Sequence, residues 1–483
     1  MRLRPSRDTL FLLMLTAGAV LLHGYHTGVQ DQAIYLPAIK KLLNPALYPH
    51  DAEFFLSQTR WMLFDEVIAG AARVTGSLEW TLLAIQLLTV FLVLLGCQRL
   101  ARCCFAEPAA QWAGVCTVAA MLTLPATGTL IPLVDNYLHP RGLATAAILL
   151  AWPAALAGRP WWLIGIAVAA PFHPMMALVG AFHLVVQSWK PPRGAVALGL
   201  LPLALMTAAP QAGGDGAAWR MVLESRRHLF PLQWAWYEWI GVAVPLLFLW
   251  WMWRSSRGAA RTRACVASRL LASTTCGIVV AIAVSVTPGL ERLVVAQPMR
   301  VLHVAYMVFF LLLGGWLSQA AFRRRGVLTA AFVVALGSVM FYVQLRTFEG
   351  SAHIEWPGAA PRNAWVQAFV WVKQNTAPGD RVALDPDYMS RPGEDYHGFR
   401  AFAERGTLAD NVKDRAVAGL TPSLAATWQQ QARLLHGWDT FQPHDFMRLR
   451  AEASITWVVI EQPVPAGMNC PYANDVVLVC KLD

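Results

Sequence analysis

Long apolar runs recur along this sequence, and only a lipid bilayer can accommodate so many of them. A helix needs about 20 apolar residues to cross the roughly 30 Å of hydrocarbon in a bilayer. Charged residues make up only 14% of the chain, against about 25% in soluble domains. We therefore predict an α-helical polytopic membrane protein with about nine spans. The predicted spans are Thr9–Tyr25, Thr81–Cys97, Ala109–Val134, Gly142–Gly158, Gly194–Ala209, Trp239–Trp253, Leu270–Thr287, Val301–Ala321 and Val327–Gln344.

The uncharged stretch 161–189 decides which loops face which side. Pro171 and Pro174 interrupt it, and each half of about 13 residues is roughly 20 Å of helix, too short to cross alone. If the stretch crossed once, Lys190, Arg193 and the five arginines between residues 254 and 269 would face outward. Because Lys and Arg are enriched in cytoplasmic loops, we predict a re-entrant helical hairpin, or two short helices that likewise return the chain to the side from which it entered.

This choice sets the predicted topology and the domain organisation. The N-terminus is cytoplasmic, and the external loops are 26–79, 127–141, 210–238 and 288–300. Residues 1–345 are predicted to form the membrane domain and residues 346–483 an extracytoplasmic domain. The net charge of +10 comes from short loops between apolar runs. It is therefore typical of membrane orientation and does not indicate a nucleic-acid partner.

The tail is predicted to be a small α/β domain. Residues 363–375 and 421–435 have the spacing or composition of helices, and residues 381–384, 455–461 and 475–482 are rich in the valine and isoleucine typical of strands. Cys470 and Cys480 flank a turn-like stretch, and an oxidising compartment would allow them to form a disulfide. The other six cysteines show no metal-ligand spacing.

The first external loop begins with an acidic residue at the membrane surface. Asp31 follows the first span directly, and Ile34, Ala38 and Ile39 then fall on one face of a predicted amphipathic helix. Asp31 is a candidate base for chemistry at the membrane surface. The alternative is a helix N-cap, to which aspartate is equally suited.

This order of features resembles the GT-C superfamily of membrane glycosyltransferases, which use polyprenyl-phosphate-linked sugars, and above all its uncharacterised bacterial members. Asp31 matches the family's catalytic acidic position, and Tyr48-Pro49-His50-Asp51 resembles a later aromatic-Pro-acidic segment. The tail segments 371–378 and 399–405 resemble the extracytoplasmic domains of bacterial members. The resemblance implies a GT-C-like bundle in a bacterial inner membrane that transfers a sugar to a cell-envelope acceptor.

The second external loop places four polar residues between two apolar spans: Asp135, Asn136, His139 and Arg141. GT-C members often carry an acidic pair here, and Asn136 replaces one acid, which puts a bound metal in doubt. Asp135, as a second catalytic acid, could still hold Mg²⁺ or Mn²⁺ together with Asp31. His139 and Arg141 could contact phosphate. Helix capping and interfacial anchoring are the alternative roles.

Two further polar positions are candidates for binding substrate. His173 lies at the Pro171–Pro174 break, deep in an uncharged stretch, where an ionisable group indicates function. Hydrogen bonding to the carbonyls freed by the break is the alternative. Arg300 opens a span from outside and could bind the lipid phosphate or anchor a headgroup. The external cluster Arg226-Arg227-His228 has the same ambiguity.

Two classes of function remain open from the sequence. The chain contains no Walker loop, HExxH or GxSxG motif, so nucleotide-driven transport and zinc proteolysis are unsupported. A GT-C enzyme takes an activated lipid donor and needs no nucleotide site. The alternative is a non-enzymatic transporter, flippase or assembly protein for cell-surface polysaccharide, which the broken stretch around His173 favours. A family member without activity is also compatible with Asn136.

Overall fold

Helices dominate the first part of the chain in this computed structural model, which describes residues 7–188, 216–255, 261–463 and 467–482. Two short antiparallel strands, β1 (Pro125–Ala126) and β2 (Ile131–Pro132), pair within it. The helices are α1 (Arg7–His23), α2 (Gln32–Leu43), α3 (Glu53–Thr59), α4 (Phe64–Thr75), α5 (Leu78–Cys104), α6 (Pro108–Ala120), α7 (Pro140–Leu156), α8 (Trp162–Phe172) and α9 (Pro174–Gln187).

The single long span predicted for Ala109–Val134 is wrong, because α6 ends at Ala120. The chain then turns at Gly128, whose φ is +66°, between the paired strands that contain Pro125 and Pro132. Proline lacks the N–H that an α-helix needs, and glycine adopts a positive φ without strain. Pro125, Gly128 and Pro132 therefore favour a short antiparallel pair of strands over a continued helix.

The helix break predicted from Pro171 and Pro174 is confirmed. α8 ends at Phe172, α9 begins at Pro174, and both helices pack against α7 and against each other. The re-entrant position of this pair in a membrane stays a prediction. The predicted span Gly194–Ala209 lies outside the described residues.

The next part of the chain contains further long apolar helices. They are α10 (Gly216–Glu224), α11 (Trp236–Ser255), α12 (Arg261–Val286), α13 (Glu291–Val294), α14 (Val301–Trp316, continued by a π-helical turn at Leu317–Ala321) and α15 (Gly326–Thr347). Within the described residues, four helical stretches are long and apolar enough to cross a membrane: Leu78–Cys104, Arg261–Val286, Glu291–Ala321 and Gly326–Thr347. The count of about nine spans therefore stays a prediction.

The tail forms an α/β structure, and its predicted strands are confirmed. A five-stranded sheet has the order β4-β3-β5-β7-β6, with β3 parallel to β4 and β5, and β7 antiparallel to β5 and β6. The elements are α16 (Ala364–Asn375), β3 (Arg381–Leu384), α17 (Phe399–Ala403), β4 (Gly406–Thr407), α18 (Lys413–Leu420), α19 (Ala425–Leu434), α20 (Pro443–Ala453), β5 (Trp457–Glu461), β6 (Asn469–Ala473) and β7 (Val477–Lys481).

Contacts divide the chain into two compact units that interleave in sequence. The bundle unit contains Met1–Gly24, Ala84–Pro210 and Arg227–Gln344. The tail unit contains Tyr25–Leu83, Gln211–Arg226 and Leu345–Asp483. The predicted first external loop therefore packs with the tail. The sequence predicts two domains that are each continuous in sequence, 1–345 and 346–483, and that division stays a prediction.

Small residues allow close helix packing in the bundle unit. A Cβ on Gly314 of α14 would lie 2.2 Å from Thr117 Oγ1 of α6, and one on Gly114 of α6 would lie 2.4 Å from the Leu311 carbonyl oxygen of α14. Glycine at these positions lets the two backbones approach. The hydrophobic core of this unit contains Val118, Leu149, Trp152, Leu302 and Leu312 among many others.

Helices cover both faces of the sheet in the tail unit. Side chains alternate between faces along a strand. Val382, Val459 and Val479 therefore pack with Trp365 and Phe369 of α16 on one face. On the other face, Ala383, Val458 and Ile460 pack with Phe446 and Leu449 of α20. This burial on both faces explains why the central strands read as nearly continuous apolar runs.

Candidate functional site

Five of the predicted site residues lie together in the bundle unit. We call Asp135, His139, Arg141, His173 and Arg300 the polar cluster; all five are buried. Arg141 Nη2 donates to Asp135 Oδ1 at 2.7 Å. The ring centroids of His139 and His173 lie 6.1 Å apart, and Arg300 Nη1 lies 3.4 Å from His173 Nε2. The cluster thus runs from the second predicted external loop to the start of α14.

Three helices hold the segment that carries Asp135. His303 of α14 points Nε2 at the carbonyl oxygens of Pro132 and Leu133, at 3.1 and 3.0 Å. Gln86 of α5 donates to the Asp135 carbonyl oxygen at 2.7 Å. Asn136 donates to Gln344 of α15 at 3.1 Å. Each bond satisfies a polar group that would be costly to bury alone, so the segment is fixed inside an otherwise apolar bundle.

Both histidines of the cluster cap helices through their Nδ1 atoms. The backbone N–H of Arg141 donates to His139 Nδ1 at 2.9 Å at the start of α7, and that of Met176 donates to His173 Nδ1 at 3.3 Å at the start of α9. A ring nitrogen that accepts carries no proton, so both caps are made by an unprotonated Nδ1. The capping role considered from the sequence for the second external loop is therefore real for His139. For His173 the alternative considered was hydrogen bonding to freed carbonyls, and its Nδ1 instead accepts from a backbone N–H.

The cluster is rich in hydrogen-bond donors. Its charged groups are two guanidinium groups, Arg141 and Arg300, and one carboxylate, Asp135. Arg300 Nη1 and His173 Nε2 lie within hydrogen-bond distance at 3.4 Å, and Arg300 Nε also donates to Gln297 Oε1 at 2.7 Å. The N-termini of α7 and α9 also begin here, and helix N-termini attract anions through their N–H groups and dipoles. This arrangement suits an anionic, oxygen-rich group such as a phosphate.

Asp31, the sixth predicted residue, belongs to the tail unit. Lys413 Nζ of α18 donates to Asp31 Oδ1 and to Gln30 Oε1, both at 2.9 Å. Asp31 precedes α2, but its side chain makes no capping hydrogen bond to the described residues of that helix. Its carboxylate is about a third exposed, at 36%. The N-cap alternative is thus not the role that the side chain has here.

Basic residues other than Lys413 contribute to the charge around Asp31. Arg226 is half-buried in the tail unit, and its Nη1 donates to the Ala416 carbonyl oxygen at 2.8 Å. Burial lowers the pKa of Arg226 to about 10, while the negative charge of Asp31 opposes that shift. Arg227 belongs to the bundle unit and donates to Glu238 at 2.8 Å. The predicted basic cluster is therefore divided between the two units.

Asp51 has a structural partner in the tail unit. Its carboxylate pairs with Arg381 of β3 and accepts from Gln431 Nε2 at 3.0 Å. This agrees with an ordinary loop role for Asp51. Cys470 and Cys480 form a disulfide that joins β6 and β7.

The residues do not fit the predicted Mg²⁺ or Mn²⁺ site. Asp31 and Asp135 each pair with a basic residue, and the described parts of the chain contain no group of three potential His, Cys, Asp or Glu ligands. Divalent cations of this kind prefer several oxygen ligands. The metal stays a prediction, and none of the chemical steps proposed for this chain depends on it.

Several site residues could not be recognised from the sequence. Gln86, His303 and Gln344 are single polar residues in apolar runs, where ordinary packing is the commoner role. Lys413 is separated from Asp31 by 382 positions, so no local pattern joins them. For His303, the one available signal was its spacing of three residues from Arg300, which puts both on one helical face.

No protein-family model and no curated protein matches this chain. Among solved structures, it is similar to the archaeal oligosaccharyltransferase AglB from Archaeoglobus fulgidus in complex with an inhibitory peptide and a dolichol-phosphate. That match has 12% identity and a TM-score of 0.47, and covers 94% of this chain and 69% of AglB. The chain is also similar to ArnT from Cupriavidus metallidurans bound to undecaprenyl phosphate, with 13% identity, a TM-score of 0.33 and 98% of each chain covered. Both of these solved structures contain a polyprenyl phosphate, which is dolichol-phosphate in AglB and undecaprenyl phosphate in ArnT.

Proposed function

We propose that this chain is a membrane glycosyltransferase that moves a sugar from a polyprenyl-phosphate carrier to a cell-envelope acceptor. Its location would be a bacterial inner membrane, with the N-terminus in the cytoplasm and the tail unit outside. The donor-rich polar cluster is the observation that carries this proposal. This buried group contains two guanidinium groups and one carboxylate, so it carries an excess of positive charge. The phosphate of a lipid carrier would balance that charge.

The chemistry assigns different roles to the two sets of residues. In sugar transfer, the bond between the sugar C1 and the phosphate oxygen breaks, and the phosphate keeps the bonding electrons. Arg141 and Arg300 would stabilise the resulting negative charge. The acceptor forms a new bond to C1 and loses a proton, for which Asp31 is the candidate base.

Binding of the carrier tests the role of the cluster. Undecaprenyl phosphate binding to the purified full chain should weaken by about 10- to 100-fold in Arg141→Gln or Arg300→Gln, since a hydrogen bond to a charged group contributes about 1.5–3 kcal/mol. Arg263→Gln is a matched control, because Arg263 is a bundle-unit arginine over the Phe105 ring. Unchanged binding in both cluster variants would show that the phosphate of the carrier does not bind at the polar cluster.

The role of Asp31 is tested in cells that lack the native copy. Asp31→Asn should reduce the envelope glycan, since loss of a general base costs about 10²- to 10⁴-fold in rate. Protein abundance in the membrane must match the wild type. Normal glycan in the mutant would exclude Asp31 from the mechanism.

Transport without chemistry is the competing function. The α8–α9 break at His173 favours it, because discontinuous helices line many transport sites. Reconstituted vesicles distinguish the two functions. A labelled lipid-linked sugar that crosses the bilayer without being consumed would favour a flippase, whereas label that moves to an acceptor supports the transferase.

A further inference from the structure

The segment before Asp31 is held by the tail through backbone pairing. Residues 25–30 run beside residues 353–355 and 396–398, all within the tail unit. The hydrogen bonds are Tyr25 N to His353 O (3.0 Å), Glu355 N to Tyr25 O (2.8 Å), Gln30 N to Tyr396 O (2.9 Å) and Gly398 N to Gly28 O (2.8 Å). Residues 25–30 are thus paired with two extended segments of the tail, immediately before α2.

Two charged side chains join the three segments. The Oε2 atom of Glu355 accepts from the backbone N–H of Thr27 at 2.8 Å, and Oε1 accepts from His397 Nε2 at 3.0 Å. His397 Nδ1 lies 3.4 Å from Glu394 Oε1. We call Glu355 and His397 the clamp pair. Because one carboxylate bonds to both Thr27 and His397, the pair connects all three segments.

The environment strengthens this connection. His397 is buried, and the charges of Glu355 and Glu394 act on it through its two ring nitrogens. His26 stacks on Phe348 with ring centroids 3.8 Å apart, and its Nδ1 lies 3.5 Å from Glu355 Oε1. Ion pairs in such surroundings are screened much less by solvent than exposed ones.

The pairing reaches Asp31 through two local contacts. Gly28 N donates to Gln32 Oε1 at 2.7 Å, which joins the segment to the first residue of α2. Gly28 has a φ of +73°, and a Cβ there would lie 2.5 Å from the Phe402 ring. Asp31 lies between Gln30, which is bonded to the tail, and Gln32, which is bonded to Gly28. A shift of the segment therefore moves the Asp31 carboxylate.

We propose that Glu355 and His397 are positioning residues that hold Asp31 in place for the reaction. The proposal rests on the proposed function, in which Asp31 is the base. Neither residue needs to touch the substrate. Their effect reaches the reaction through the backbone of residues 25–30, and misplacement of a base by about 1 Å costs roughly 10²-fold in rate.

Hydrogen–deuterium exchange tests the clamp without any assay of activity. In the detergent-solubilised full chain, Glu355→Gln and His397→Asn should each speed exchange of the Thr27 and Gln30 amides by at least about tenfold. The control is Arg391→Gln, which removes an ion pair with Asp385 and Asp439 in the same unit. Exchange that is unchanged in both clamp variants, or that rises equally in the control, overturns the proposal.

Kinetics separate positioning from general destabilisation. Glu355→Gln should lower kcat about tenfold and leave KM for the lipid donor within about twofold. In an Asp31→Asn background the same substitution should have little further effect on kcat. Equal losses in both backgrounds indicate a role unconnected to Asp31 and overturn the proposal. A wild-type chain without transferase activity would refute the proposed function. The hydrogen–deuterium exchange experiment would then be the test of whether the clamp pair holds residues 25–30.

Discussion

His397 couples the stability of the tail unit to pH. Burial alone would lower the pKa of this histidine, but hydrogen bonds and charges from Glu355 and Glu394 outweigh burial and raise it to about 10, from an ordinary value of 6.5. Burial raises the pKa of Glu355, yet the two histidines beside it, His26 and His397, lower it overall to below its ordinary value of 4.5. Both groups are therefore charged in the folded state near neutral pH.

The linkage has a defined sign for each group. The contribution of His397 is complete below pH 6.5, the ordinary histidine pKa, and is lost as pH rises to about 10. The contribution of Glu355 is present above pH 4.5, the ordinary glutamate pKa, and is lost as pH falls. Stability from the clamp pair should therefore be greatest between these two ordinary values and decline on the alkaline side.

Thermal denaturation measures this effect. The wild-type Tm should fall between about pH 6.5 and about pH 9.5, with the free energy of unfolding changing by up to about 1.4 kcal/mol per pH unit. His397→Asn should have a lower Tm at the acidic end of this range and a flatter profile across it. Parallel profiles for the two proteins would show that His397 does not titrate as described.

Individual residues show where sequence reasoning succeeds and where it stops. Asp135, His139 and Arg141 are recognisable because several polar residues interrupt apolar runs at one place, and such residues need a reason to be near a membrane. Asp31 is recognisable by its position after the first span. Its partner Lys413 is not, because the pairing depends on how distant segments of the tail unit fold together.

At the scale of elements, the strands that could be predicted from the sequence are the ones whose side chains are mostly buried. β3, β5 and β7 are mostly buried and are rich in valine. β4 has two residues and β6 contains a proline and lies at a sheet edge, so neither has a strand-like apolar pattern. The apolar pattern likewise could not show that α6 stops at Ala120, since Met121, Leu122 and Leu124 continue it and the helix-breaking Pro125 and Gly128 come later.

The contact between α6 and α14 yields a prediction about elements. A Cβ on Gly314 would meet Thr117 Oγ1 at 2.2 Å and the Ala113 carbonyl oxygen at 2.8 Å. The backbone oxygen cannot move aside cheaply, so Gly314→Ala should push the helices apart and destabilise the bundle unit by about 1–3 kcal/mol. Because Arg300 directly precedes α14 and His303 lies within it, undecaprenyl phosphate binding should weaken as well.

A second glycine provides the control for this substitution. A Cβ added to Gly18 of α1 would meet no atom of the described residues within 4 Å. Gly18→Ala should therefore leave stability equal or slightly higher through improved helix propensity. Thermal unfolding of the two variants in one detergent makes the comparison. A Gly314→Ala variant as stable as Gly18→Ala would mean that α6 and α14 pack less closely than described.

At the scale of the molecule, the composition of the tail unit constrains topology. Tyr25–Leu83, Gln211–Arg226 and Leu345–Asp483 belong to this one unit, and we expect such a unit to lie on one side of a membrane. This expectation predicts an even number of crossings between Leu83 and Gln211, and again between Arg226 and Leu345. The distribution of basic residues around the 161–189 stretch independently favours an even number in the first of these two intervals.

Reporter fusions just before α15 and near its end test this topology. Alkaline phosphatase fused after Gln344 should be active, because the predicted location of that point is outside the cytoplasm, and a fusion after Arg325 should be inactive. The two fusion points lie just before one candidate span, Gly326–Thr347, and near its end, so each is the control for the other, and green fluorescent protein should give the opposite pair of signals. A cytoplasmic signal after Gln344 would mean that the whole tail unit lies in the cytoplasm, since its three segments pack together. Asp31 would then face the cytoplasm with them, and transfer to a cell-envelope acceptor on the outer side would be excluded.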